Sequence, residues 1–203
     1  MNAQVDITNV IIETKRLILR PWTLEDVDDL FKYASNPDVG PRAGWSPHKD
    51  KEESLERVKH FIEGKKTFAL VYKENNKVIG SLGLEKYGLE DQLSEFFELQ
   101  GREIGYVLSK DYWGQGLMPE AVKAIIDYCF NVLNFDFLLC GHFDKNAQSK
   151  RVQEKCGFKS YRKLNFDTKI DTVEPGVLRL LLNPNKNIKL VFSHPETLIN
   201  TDF

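Results

Sequence analysis

Cysteine is scarce: Cys129, Cys140 and Cys156 are the only three in the chain. They form neither an even disulfide framework nor a C-x-x-C pair, so each reads as a small core residue. None has a base beside it in the local sequence, which argues against a cysteine nucleophile. Long apolar runs are also missing. No stretch approaches the roughly 20 residues needed to cross a bilayer. Met1 to Val10 lacks the basic-then-apolar layout of a signal peptide. A cytoplasmic protein with no membrane partner is the expectation. Charge of one sign is lacking too: 28 Lys and Arg face 30 Asp and Glu, a formal net charge of −2, and the pI is about 6.1. That balance leaves no electrostatic footprint for nucleic acid, although a local basic groove for an anionic cofactor stays open. No repeat or low-complexity tract is visible, and no metal is expected.

What is present suits one domain, or one domain with an appendage. The chain has 203 residues, 41% of them hydrophobic, enough for a sizeable core. Ile11 to Arg20 alternates as a strand. Thr23, with Asp26 three residues on, caps a helix bearing Leu24, Val27, Leu30, Phe31 and Ala34 on one face. Asn36 to His48 reads as a loop, and Asp50 with Glu53 opens a second helix. Strands are expected at Thr67–Tyr72, Val78–Leu84 and Arg102–Leu108, with a long polar connection from Glu85 to Gly101. A helix follows from Pro119, placed at a first helical position, to about Leu133. Phe135–His142 then reads as a strand, Ala147–Lys155 as a helix, and Phe158–Leu164 and Val177–Leu182 as strands. Adjacent strands without helices imply hairpins, and the strand–helix–strand step from 102 to 142 implies a parallel crossover. The fold class is therefore α/β (α+β), with a mixed, mostly antiparallel sheet flanked by helices and irregular near residues 108 and 140.

The segment Tyr106 to Glu120 is the most informative. It is a strand, a glycine-containing turn and a helix start. Free N–H groups at a helix N-terminus attract anions, and glycine lets backbone approach phosphate oxygens. The donors would be those of Gln115, Gly116, Leu117 and Met118. Gly114 and Gly116 read equally well as a simple tight turn. Two nucleotide-binding patterns fail: no Gly-Lys-Ser/Thr closes a Walker A loop, and Pro119 stands where a dinucleotide fingerprint needs a third small residue. Downstream, Asn146 is a natural N-cap with Ser149 at the third position, and Gly157 ends the same helix.

Taken in order, these segments resemble the GNAT superfamily of N-acetyltransferases, and within it the RimJ/RimL-like ribosomal-protein branch. The resemblance spans roughly Glu13 to Leu182. It rests on Thr14 to Pro21 with Thr23 to Asp26, Glu103-Ile-Gly-Tyr106, Tyr112-Trp-Gly-Gln-Gly116 with Glu120-Ala121, and Asn146-x-x-Ser149 with Cys156-Gly-Phe158. It implies a GNAT fold over residues 1–182, with its parallel strands splayed at an acetyl-CoA site. Residues 183–203 would form a C-terminal extension that adds an edge strand or a dimer contact, so the protein would be a monomer or homodimer. Acetyl-CoA would enter as co-substrate, its pyrophosphate on Gly114 to Met118 beside Trp113, its pantetheine along Val107 and Leu108, with Asn146 and Ser149 nearby. Met118 and Gln153 depart from the family, which usually has Gly or Ala at the first position and often Tyr at the second.

The reaction implied is direct attack by a primary amine. Glu103 is the candidate base, because its strand leads into the cofactor turn; Glu85 is the reserve, and an exposed strand charge is the competing reading. A backbone N–H near Val107 or Leu108 would hold the oxyanion. Ser149 resembles the serine this branch places near the sulfur, and its other reading is a helix-start residue. Trp45 and His48 are the candidates for shaping the acceptor pocket. The acceptor, a small-molecule amine or a protein N-terminus, is not written in the sequence. Two other functions stay open: a non-catalytic CoA-binding protein, and an interaction module presenting the tail.

Overall fold

The computed structural model describes residues 1–88, 93–190 and 198–199. One sheet of eight strands runs through it. In chain order the elements are β1 (Ile12–Glu13), β2 (Leu17–Pro21), α1 (Val27–Ala34), α2 (Lys51–Gly64), β3 (Thr67–Tyr72), β4 (Lys77–Glu85) and β5 (Gly101–Leu108). They continue with α3 (Leu117–Asp127), β6 (Phe137–Phe143), α4 (Ala147–Lys155), β7 (Lys159–Asp167) and β8 (Val173–Leu182). The strands lie in the order β1-β2-β3-β4-β5-β6-β8-β7. Every pairing is antiparallel except β5 with β6. The mixed sheet with one parallel pair is as the sequence implied.

Alternation along the strands divides the core. Leu19, Leu82, Ile104 and Leu138 join Ala121, Ile125 and Cys129 of the α3 side in one cluster. Ala69, Val71 and Val78 meet Leu30, Tyr33 and Val58 of α1 and α2 in a second. A third, with Phe96, Phe137, Leu139 and Tyr161, fills the β6–β8–β7 end. Fully burying such a side chain contributes about 1.5–3 kcal/mol.

Several boundaries differ from the sequence reading. Ile11 to Arg20 is a hairpin, β1 against β2, rather than one strand. The Glu120 carboxylate on α3 accepts from the Thr14 hydroxyl at 2.6 Å and the Arg16 N–H at 2.8 Å. A partner over a hundred residues away thus fixes a turn that local periodicity cannot show. A 3-10 turn, Leu24–Asp26, precedes α1; its tighter winding rotates Leu24 off the helix face, leaving it 56% exposed. Helix α3 starts at Leu117, so Pro119 is its third residue. This is still within the first turn, where a missing N–H costs nothing. Beyond Asp127 the helix widens into a π turn, Tyr128–Val132. The phase slips there, and Val132 points outward while Cys129 stays buried.

The segment after β8 packs against the body. The Asn183 side-chain amide donates to the Phe135 carbonyl at 2.8 Å. Leu190 and Leu198 rest on the third cluster. Leu198 bridges Arg162 of the edge strand β7, and the Ile199 N–H donates to the Tyr161 carbonyl at 2.8 Å. Val191 and Phe192 of the same segment lie outside the described residues. No helix among the described residues is long and apolar enough to cross a membrane.

Candidate active site

Pairing of β5 with β6 stops at Glu103 and Leu139. Past that point the strands diverge, and a cavity of about 560 Å³ opens between them. Its walls are the C-terminal half of β5, the Trp113–Pro119 turn, residues 140–143 of β6 and the first turns of α4. On its other edge β6 stays paired with β8 as far as Phe143.

The β4–β5 register assigns the backbone groups at this opening. The Ser109 N–H donates to the Ile79 carbonyl at 2.7 Å, and Gly80 lies opposite Leu108 and Ser81 opposite Val107. On the alternation of an antiparallel ladder, the Val107 N–H then faces Ser81 and the Leu108 N–H faces the diverging edge. Of the two candidate oxyanion donors, Leu108 is the one aimed at the opening. Its carbonyl is already engaged by Trp113 Nε1 at 2.8 Å.

Side chains of β5 alternate across the sheet, so the opening has two chemically different faces. Glu103 sits on one. It lies directly opposite Glu85 on β4. Burial, the Glu85 charge and, in the opposing direction, a Gly141 N–H hydrogen bond set its carboxyl, which is pushed up to about 7. Glu85 is ion-paired with Lys66 and does not line the cavity, whereas Glu103 does. A carboxylate that changes charge near neutrality and stands in a cleft has the properties of a general base.

Tyr106 sits on the other face, where Ser149 Oγ is 2.9 Å from its hydroxyl. Ser149 also serves the helix start: its N–H donates to Asn146 Oδ1 at 3.1 Å, while Asn146 Nδ2 donates to the Arg42 carbonyl at 3.1 Å. Gln153, fully buried, donates from Nε2 to Ser149 Oγ at 3.2 Å and to the Gly141 carbonyl at 2.9 Å. Its Oε1 lies 2.9 Å from His142 Nδ1.

Gly114 and Gly116 hold φ of +77° and +75°, and Gly116 is the residue from which α3 departs. A side chain at Gly114 would meet nothing within 4 Å, and one at Gly116 only Arg16, at 3.8 Å. The turn is therefore a bare backbone cradle with open space above it. The Leu117 and Met118 N–H groups lie in the first helical turn, with no intrahelical acceptor. Their side chains are buried in the core, so the bulk of Met118 goes beneath the cradle. Gln115 is exposed; its carbonyl accepts from Arg16 at 2.9 Å, and Arg16 Nε is paired with Glu120 at 2.8 Å. These features fit an anionic, phosphate-bearing ligand.

Trp45 and His48 do not line this cavity. Trp45 packs its ring over Gly40 and beside His48, at 5.4 Å between centroids. His48 is buried, with Nδ1 2.8 Å from Ser54 Oγ. Both anchor the loop to α1 and α2 because their apolar area is covered there. The loop residues that do reach the cavity are Val39, Arg42 and Ala43, and the Arg42 guanidinium stands over the Trp113 ring at 5.0 Å. His142 and Arg42 carry no local signal of a site: His142 alternates as an ordinary strand residue, and Arg42 sits in a Gly/Pro loop.

The described acetyltransferase (GNAT) domain matches residues 16–159. A curated relative, "Uncharacterized N-acetyltransferase p20" of Bacillus licheniformis, is 32% identical over 151 residues, covering 71% of this chain and 80% of the relative. Ribosomal-protein-S5-alanine acetyltransferase from Vibrio fischeri superimposes with a TM-score of 0.64 at 20% identity, covering 89% of this chain and 100% of that one. The microcin C7 self-immunity acetyltransferase MccE, solved with acetyl-CoA and AMP, superimposes with a TM-score of 0.67 at 14% identity, covering 83% and 93%. With the domain match spanning most of the chain, this protein belongs to the GNAT acetyltransferase family and is an N-acetyltransferase.

Proposed function

We propose that the protein transfers the acetyl group of acetyl-CoA to a primary amine by direct attack. The acceptor is a small-molecule amine or a protein N-terminus. The observation that carries this reading is the two-faced opening in the sheet, with Glu103 on one face and the Tyr106–Ser149 pair on the other. Glu103 takes a proton from the acceptor ammonium, freeing the neutral amine that attacks the thioester carbonyl. The Leu108 N–H stabilises charge developing on the carbonyl oxygen, and Ser149 meets the departing sulfur. The Gly114–Met118 backbone holds the pyrophosphate, beside Trp113 and Asn146. Bound acetyl-CoA supplies the activated acyl group and a thiol leaving group. The likeness to a ribosomal-protein acetyltransferase supports placing the chain in the RimJ/RimL-like branch. Residues 183–203 read as an extension to the catalytic domain, supported by the Leu198 bridge to the edge strand.

Acetyl-CoA binding is tested by thermal unfolding. A ligand that binds only the folded state stabilises it by about 2.7 kcal/mol at a hundred times its dissociation constant. Millimolar acetyl-CoA is expected to raise Tm by several degrees. An unchanged Tm contradicts the cofactor assignment.

A further inference from the structure

The face of β5 that carries Glu103 meets an aromatic pair that no core cluster absorbs. Phe143 at the end of β6 and Phe166 on β7 are both half-buried and pack edge to face, at 5.9 Å between ring centroids. Neither belongs to the three hydrophobic clusters of the described residues, and both line the cavity. Glycines bring them to the base. A Cβ built on Gly141 would lie 2.9 Å from the Phe166 ring and 3.3 Å from Glu103 Oε1. Phe166 also covers Gly176, where a Cβ would again be 2.9 Å from its ring. The ring leans from β7 across β8 to β6 because two glycines leave the backbone bare beneath it. Gly105 continues the row on the Glu103 face. It stands two residues past Glu103, as Gly141 stands two past Leu139, the partner of Glu103. Among the described residues a Cβ on Gly105 would meet only Glu85 Cγ, at 3.7 Å. The result is a slot floored by bare backbone beside the Glu103 carboxylate, with Phe166 and Phe143 as its apolar wall.

We propose that the acceptor is a primary amine with a ring-sized apolar group one or two carbons from its nitrogen, seated against Phe143 and Phe166. This rests on the acetyl-transfer reading given above. The amine stands over Gly105 beside Glu103, and its apolar group covers the two rings. Such contact removes apolar surface from water on both partners. The wall is held in place. Gly44, at φ +78°, brings the loop against the tip of Phe143, where a Cβ would lie 3.3 Å from Cζ. The Gly44 carbonyl accepts from the Lys169 N–H at 2.8 Å. Charge argues against a polyamine. Among the described residues Asp167 is the one carboxylate besides Glu103 that lines the cavity, against the cations Arg42, Arg151 and Lys155. Glu85 is paired with Lys66, and Glu174 with Lys145 at 2.6 Å. A second ammonium would meet more cations than anions there. The chemistry has two sources, a free arylalkylamine and the aromatic N-terminal residue of a peptide.

The test compares matched acceptors at saturating acetyl-CoA: phenethylamine with ethylamine, a tripeptide opening with phenylalanine with one opening with alanine, and spermidine. One methylene in an apolar pocket changes kcat/KM by about 10- to 200-fold. A ring is therefore expected to raise it by at least about tenfold over the small counterpart in one of the two pairs, with spermidine below both ring-bearing acceptors. The pair that shows the preference identifies the source. Phe166→Ala is expected to bring that ratio close to one. Equal or greater kcat/KM for ethylamine, the alanine peptide or spermidine overturns this proposal and leaves acetyl transfer intact, as does an unchanged ratio in folded Phe166→Ala. Absence of acetylation across the wild-type panel overturns the transfer reading and this proposal together. The wild-type ratios decide the matter even where Phe166→Ala fails to fold.

Discussion

Glu103→Gln is expected to lower kcat by roughly 10² to 10⁴, the range that a general base contributes, while acetyl-CoA affinity stays within about twofold. The wild-type kcat/KM should rise with pH through about 7, where Glu103 loses its proton. The variant should lack that limb, and its deficit should shrink at high pH as more amine is already neutral. The same group has a consequence for stability. Its folded-state value lies above the ordinary carboxylate range because burial and Glu85 disfavour the charge. Between that ordinary value and about 7 the folded protein binds more protons than the unfolded chain, so stability falls as pH rises through this window. Glu103→Gln should flatten this part of the Tm profile. Near wild-type turnover with the same pH dependence would remove Glu103 from the mechanism.

Gly116 carries the second large effect. Its φ of +75° is unfavourable for β-branched residues, and a side chain there would stand in the open space over the turn. Gly116→Val therefore combines strain of about 1–3 kcal/mol with an obstructed cradle. Gly116→Asn separates the two, because asparagine tolerates the left-handed region. Both variants should raise the KM for acetyl-CoA by about ten- to a hundredfold, the loss of one hydrogen bond to a charged group. Only the valine variant should also lose several degrees of Tm. An asparagine variant with unchanged KM would place the pyrophosphate elsewhere.

Local chemistry made much of the framework legible. Asp50 Oδ1 does accept from the Glu53 N–H, and Thr23 with Asp26 does close a capping box, because both motifs are complete within four residues. Strand β3 and helix α4 have the bounds their periodicity implied. The structure brings Glu103, Val107, Leu108, Trp113, Gly114, Gly116, Asn146 and Ser149 around one cavity. What sequence could not show depends on elements meeting across the sheet. Alternation places Tyr106 on the side of Ile104 and Leu108, but nothing local says that α4 will set a serine against its hydroxyl. Gln153 stands out in the sequence only as a departure from the family's frequent Tyr; its two N–H bonds and one acceptor contact appear only when β6 packs on α4. Trp45 and His48 stand outside that cavity; an aromatic in a loop signals packing as readily as a pocket, and here α1 and α2 supply packing for Trp45.

The central claim is acetyl transfer from acetyl-CoA to an amine, and one measurement addresses it directly. Wild-type protein is incubated with acetyl-CoA and a panel of primary amines and peptides with free N-termini, and free CoA thiol is followed alongside mass analysis of each acceptor. At least one acceptor should release CoA well above the no-acceptor rate and gain one acetyl group per thiol released, with both signals lost together in Glu103→Gln. Acetyl-CoA bound across the whole panel with no acceptor modified and no thiol released would contradict the account.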